Sequence, residues 1–255
     1  METTLSRNYA TEFDPQAYLN TYYTGPDAED RFVTQFMVTA LQTMPADLLT
    51  LELGGGPTLF AVATLAPASR EIHFCDYLPA NLAEVRRWLA AEPDAFDWGP
   101  YIEMTLEEEN IPVTPVAVEQ RAADMRRKVT RLLRCNALDT SPLGPDTQKY
   151  DLVVAQTSLD AMSADIDEWK WVMANVCHTL IAPEGRLLVS LVSGTEGYSV
   201  GDKNFPVLPL TVDDVYQGYI EAGFRADTFQ IETMTAPDAR DYVGLISAVA
   251  QKAAT

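Results

Sequence analysis

Residues 50–60 read TLELGGGPTLF, an apolar run that ends in three adjacent glycines, a proline and a threonine. Glycines at such a point let the chain turn sharply and let a ligand come close to the backbone. A phosphate loop of the GxxxxGK[ST] type is excluded, because Pro57, Thr58 and Leu59 follow the glycines and no lysine does. A GxGxxG pyrophosphate turn is disfavoured too. Leu59 stands where its last glycine belongs, and Pro57 has no N–H to donate. Asp76 ends the next apolar run, 20 residues after Gly56, where a carboxylate can accept both hydroxyls of a ribose. S-adenosylmethionine, a nucleoside with a sulfonium and an amino acid tail, matches this pattern best, its carboxylate suiting a helix N-terminus. A nicotinamide cofactor is the next reading. The third is a tight turn in which Asp76 only caps the following helix.

Methyl transfer from a sulfonium requires alignment and desolvation, and for an amine a group that takes one proton. Asp160, Glu196 and Asp241 are the candidate carboxylates; each also has a plain reading as a helix cap or a solvated surface acid. His73, beside Phe74, and His178, beside Cys177, read as structural, and LEEEN at 106–110 reads as a solvated turn. No Asp/His cluster has metal-ligand spacing, so no metal is expected and nitrogen or sulfur acceptors are preferred over oxygen. Tyr18, Tyr22, Tyr23 and Tyr198 could face a cation through their rings.

These residues need a scaffold, and the chain alternates apolar runs with helical patterns, as a parallel sheet of βα units does. Strands are predicted at 48–54, 71–77, within VTRLLRCNA, and at 150–160 and 186–194. Two late ones lie in ADTFQIETM and YVGLISAVAQ at the sheet's edge. The turn APEG separates the helix DEWKWVMANVCHTLI from the strand at 186. Thr211 with Asp214 signs a helix start and Gly223 its end. The fold class is therefore α/β, with about seven strands and helices on both faces. Stretches 93–118 and 196–210 interrupt the alternation and read as irregular insertions, common places for substrate binding.

The chain has 255 residues, 47% of them hydrophobic, and a formal charge of −19, which disfavours nucleic acid and anionic membrane as partners. The one basic stretch, RAADMRRKVTRLLR at 121–134, reads as a solvated amphipathic helix. No 18-residue apolar window and no secretory leader are visible, and the three scattered cysteines suit a reducing, cytoplasmic compartment.

LGGGPTLF, DYLPANLAEVRRWLAAEPDAFDW and FDPQAYLNTYY resemble the nicotinamide, phenylethanolamine and indolethylamine N-methyltransferase family. So do PLG (142–144), SLDAM (158–162), GYSVGDKNFPVLPL (197–210) and GLISAVAQK (244–252). The resemblance runs in order over almost the whole chain. It implies a Rossmann-like class I methyltransferase: a seven-stranded, mostly parallel sheet, one domain with an N-terminal helical lid over 1–45 and a core over 46–255. It implies Tyr18 and Tyr23 closing over the donor, Tyr18 also near substrate, and Gly54 and Gly55 against the methionine part. Asp76 and Asn81 would hold the ribose, Asn136 and Ala137 flank the adenine, and Gln156 lie close to the donor.

Departures from the family pattern fall in the site. Asn136 replaces an aspartate, and Phe60 replaces a tyrosine near the donor's tail. Leu191 stands where nicotinamide-methylating members carry an aspartate, which argues against nicotinamide as substrate. Val207 replaces a polar substrate contact. Thr195 stands where catecholamine-methylating members are acidic, whereas Asp241 matches an acidic contact of that branch. Tyr198 belongs to the same acceptor set. The expected activity is metal-independent methylation of a small amine or N-heterocycle by in-line displacement, in secondary metabolism, with a monomer as the default. A thiol or thioether S-methyltransferase, a catalytically silent donor-binding relative and a nicotinamide-dependent oxidoreductase are the rivals.

Overall fold

The computed structural model describes residues 9–237 and 242–254. Its frame is a seven-stranded sheet formed by β1 (Leu48–Leu53), β2 (Ser69–Asp76), β3 (Val129–Arg134), β4 (Tyr150–Gln156), β5 (Ile181–Ser193), β8 (Gln230–Thr235) and β9 (Gly244–Gln251). The spatial order is β3-β2-β1-β4-β5-β9-β8, parallel as far as β5, with β9 antiparallel to both β5 and β8. The chain reverses its direction of travel across the sheet between β1 and β4, and ligands of open α/β sheets bind in the crevice at that reversal.

The central strands are buried on both faces, as their unbroken apolar runs require. One face packs on α2 (Ala28–Gln42), α3 (Phe60–Ala68), α4 (Pro79–Leu89), α5 (Gly99–Glu108) and α6 (Pro115–Lys128). The other packs on α8 (Ile166–Leu180) and α9 (Val212–Ala222), with Trp169, Met173 and Tyr219 fully covered. The helix ends follow the local chemistry. Thr211 and Asp214 form a reciprocal capping box on α9, and Gly223 closes it at φ 96°. Asp14 caps α1 (Pro15–Tyr22) by accepting from the amides of Gln16 and Ala17.

The sequence reading needs correction in three places. Stretch 93–118 is not irregular throughout: it contains α5 and the start of α6. β5 begins at Ile181, and the expected APEG turn is absorbed as a register shift opposite Tyr150 and Leu152, with Glu184 at φ 61°. The basic stretch is not simply solvated. Arg121 is buried on α6, donates to Glu109 at 2.5 Å and to the Ala63 carbonyl at 2.7 Å, and Arg126 lies 4.0 Å over the Trp88 ring. Stretch 196–210 carries a separate hairpin, β6 (Gly197–Val200) and β7 (Lys203–Pro206), beside the short α7 (Leu159–Met162).

Candidate active site

A cavity of about 630 Å³ opens at the strand reversal. Its floor is the glycine turn, whose amides are used inside the protein. Those of Gly54 and Gly55 donate to the Cys75 carbonyl at 2.9 and 3.2 Å, and that of Gly56 donates to Asp76 Oδ2 at 2.9 Å. With Pro57 next, the turn has no ring of free amides for a pyrophosphate. Its glycines are required for other reasons. Gly54 and Gly56 sit at φ 70° and 63°, and a Cβ on Gly55 would lie 2.4 Å from the Phe74 ring.

Asp76 ends β2 with only 6% of its surface exposed. Besides Gly56 it accepts from the Leu78 amide at 2.8 Å and Asn81 Nδ2 at 2.9 Å, and burial raises its pKa against these bonds. It therefore braces the start of α4, as the plain reading had it. A carboxylate has about four acceptor positions, so room remains for a hydroxyl. Glu52, Asn81 and Gln156 also line the cavity, and Glu52 Oε2, Asn81 Oδ1 and Gln156 Oε1 are buried without a hydrogen-bond partner. Native proteins rarely leave such atoms unmatched, so this wall is built for a ligand rich in donors.

Over the floor lie Tyr18 and Tyr23 of the N-terminal segment. The rings of Tyr18 and Tyr23 lie 5.9 Å apart, and burial pushes both phenols up. Asp160, on α7, faces the same space with 1% exposure. Its Oδ2 accepts from the Val192 amide at 3.0 Å, while Oδ1 has no well-formed partner. Burial raises its pKa to about 6 against the nearby amides of Val192, Asp160 and Ala161.

The sequence pattern of the NNMT/PNMT/TEMT family matches residues 2–253. The chain belongs to that family. It is 32% identical to indolethylamine N-methyltransferase of Mus musculus over 225 residues, covering 85% of this chain and 83% of that one. It is 28% identical to nicotinamide N-methyltransferase of Homo sapiens, with 96% and 94% covered. Among solved structures it resembles the Burkholderia thailandensis 1,6-didemethyltoxoflavin-N1-methyltransferase at 14% identity and TM-score 0.53, over 99% of this chain and 92% of that one. It also resembles magnesium protoporphyrin IX methyltransferase from Synechocystis at 14% identity and TM-score 0.55, over 96% and 95%. These likenesses show the fold.

Family membership makes the chain an S-adenosylmethionine-dependent N-methyltransferase, with S-adenosylmethionine as its cofactor. The residues present fit that group, because its ammonium, ribose hydroxyls and adenine amino group are donors for the unmatched oxygens above. Of the residues expected in the site, Tyr18, Tyr23, Gly54, Gly55, Phe60, Asp76, Asn81, Asn136, Ala137, Gln156, Asp160, Thr195, Tyr198 and Val207 all line this one cavity. Asn136 Oδ1 already accepts from the Leu138 amide at 3.1 Å. The Thr195 hydroxyl donates to the Gly197 carbonyl at 2.8 Å.

Two expectations fail. Leu191 is fully buried in the opposite core layer, opposite Ile246 in the sheet, because strand pleating turns alternate residues to opposite faces; Val192 takes the cavity side. Glu196 is exposed and does not line the cavity. Asp241 lies outside the described residues. Tyr9 and Glu52 are lining residues that went unnoticed. A charged residue inside the apolar strand LLTLEL was the visible signal for Glu52.

Proposed function

We propose that this family member methylates the nitrogen of a small, non-anionic amine or N-heterocycle whose remainder is apolar, and that, where the acceptor nitrogen carries a hydrogen, Asp160 takes the displaced proton. The observation that carries this reading is Asp160 itself: a buried carboxylate with one unmatched oxygen, in the cavity where Tyr18 and Tyr198 also lie. Six acidic side chains, Asp27, Glu29, Asp30, Glu52, Asp76 and Asp160, line the cavity, and no lysine, arginine or histidine does among the described residues. Burial favours the neutral form of Glu52, and the remaining acids attract cations and repel acceptors that bear a carboxylate or phosphate. Val192, Val207 and Leu245 supply apolar wall, and the Thr195 hydroxyl is occupied by its own loop, which disfavours a polar carboxamide such as nicotinamide.

When bound, the donor supplies an electrophilic methyl on a sulfonium. The protein aligns the acceptor nitrogen behind that methyl, keeps water out with the tyrosines and, for an amine, receives its proton at Asp160. Alignment of this kind supplies about 7–11 kcal/mol of barrier reduction, so no protein nucleophile is needed. Asp27, Glu29 and Asp30 at the start of α2 add negative charge at the cavity wall rather than a second proton acceptor.

The test is incubation with methyl-labelled donor and a panel of arylalkylamines, pyridines, thioethers and the α-carboxylated analogue of each amine. Label is expected in amines or pyridines and absent from the carboxylated analogues. Transfer only to thioethers, or to none, would overturn the reading. Because Asp160 must be ionised to accept a proton, kcat/KM should rise with pH through about 6. Asp160→Asn should remove that limb and lower kcat/KM by about 100-fold.

A further inference from the structure

We infer that Tyr9 is a positioning residue: its hydroxyl, 3.0 Å from that of Tyr198, fastens the N-terminal segment to the β6–β7 hairpin and fixes Tyr198 at the cavity. The hairpin forms a two-stranded sheet apart from the main one. An isolated hairpin is marginal in water and must be held by what packs on it. Here that is the N-terminal segment. Phe205 of β7 is buried with its ring centroid 4.8 Å from Tyr9 and 5.5 Å from Phe13, and Tyr198 of β6 lies 5.6 Å from Phe205. Tyr22 on α1 donates to the Ser199 carbonyl at 2.9 Å.

Segment and hairpin therefore order one another, forming a two-sided clasp along the cavity wall. Aromatic contacts hold the two together, but they tolerate sliding. The hydroxyl pair is directional and sets the register of one side on the other. One hydroxyl donates to its neighbour, which keeps its own proton for another acceptor. Burial raises both phenols and the charge of Asp160 raises them further, so the pair stays neutral and its hydrogen bond persists over the working pH range. Two effects follow. Parting the clasp must precede release of the spent donor, and Tyr198 keeps its place beside the acceptor only while Tyr9 holds it. The second effect rests on the amine reading above; the first rests on the clasp geometry and the established cofactor.

The test uses Tyr9→Phe, Tyr198→Phe and the double variant, each of which retains its rings. S-adenosylhomocysteine dissociation is followed by stopped-flow fluorescence, and hairpin exchange by amide hydrogen exchange. Tyr9→Phe should release S-adenosylhomocysteine about five- to tenfold faster and speed exchange across 197–206. The double variant should match the single ones within twofold, because either substitution breaks the same bond. With a methylated amine in hand, acceptor KM should rise about fivefold while kcat changes less than twofold. Unchanged release and exchange in Tyr9→Phe, or fully additive effects, would overturn the inference. If no amine is methylated yet Tyr9→Phe speeds release, the amine reading fails and the clasp stands.

Discussion

On the proposed reading, Asp160 trades stability for chemistry. Its pKa is raised by burial to about 6, above the value near 3.9 expected in the unfolded chain. The folded state therefore binds more protons than the unfolded state between about pH 4 and 6. Stability falls as pH rises through that window, and the penalty stays in full above it. Asp160→Asn removes the buried charge. It should unfold at higher urea than the native protein at pH 7.5, with the two converging near pH 4. A variant less stable at pH 7.5 would mean that the carboxylate contributes to the fold. Gly55 makes the opposite point, since its lack of a side chain serves the Phe74 ring behind it rather than a ligand in front.

Among the elements, α6 was the least legible. Its arginines read as a basic solvated face, yet Arg121 points inward, where Glu109 after α5 and the Ala63 carbonyl of α3 receive it. No periodicity rule detects this, because the partner lies 12 residues away on another element. The pair pins α5 and α6 onto α3. Arg121→Met strands a largely covered carboxylate and should lower stability by about 2–3 kcal/mol in urea unfolding. Arg121→Met with Glu109→Met should recover most of that loss. If the double variant is no better than the single one, the pair is not the cause. The start of β5 is hard to read for a related reason: a bulge carries exposed Pro183 and Glu184 between the pairings of Tyr150 with Ile181 and Leu152 with Arg186, and turn residues signal a bulge and a turn alike.

At the scale of the molecule, the cavity sits where β1, β2 and β4 end together, so a donor bound there joins most of the parallel sheet to the N-terminal helices. Binding only to the folded state stabilises it by about 2.7 kcal/mol at a hundredfold excess over Kd. For a chain of this size S-adenosylhomocysteine should raise Tm by about 5–10 °C. Asp76→Ala should weaken S-adenosylhomocysteine binding by more than fivefold in calorimetry, since a hydrogen bond to a charged group is worth about 1.5–3 kcal/mol. Unchanged affinity would place the ribose elsewhere. Among the described residues no helix is long and apolar enough to cross a membrane.

The alternation of apolar runs and helical patterns was enough to specify the parallel sheet, because burial on both faces leaves a strand no polar positions. The glycine turn followed by Asp76 narrowed the ligand without choosing it, because a nicotinamide cofactor and a plain helix cap share the pattern, and the family resemblance pointed to S-adenosylmethionine. Facing directions were decided only by tertiary structure. Leu191 and Val192 are neighbours in sequence, and the pleat alone sends one to the core and the other to the cavity. Glu196 and Asp160 are both acids near the end of a strand, yet Asp160, on α7, is buried against β5 while Glu196 stays in water. Tyr9 and Tyr198 are 189 residues apart, and their contact exists only because the hairpin folds back over the N-terminal segment.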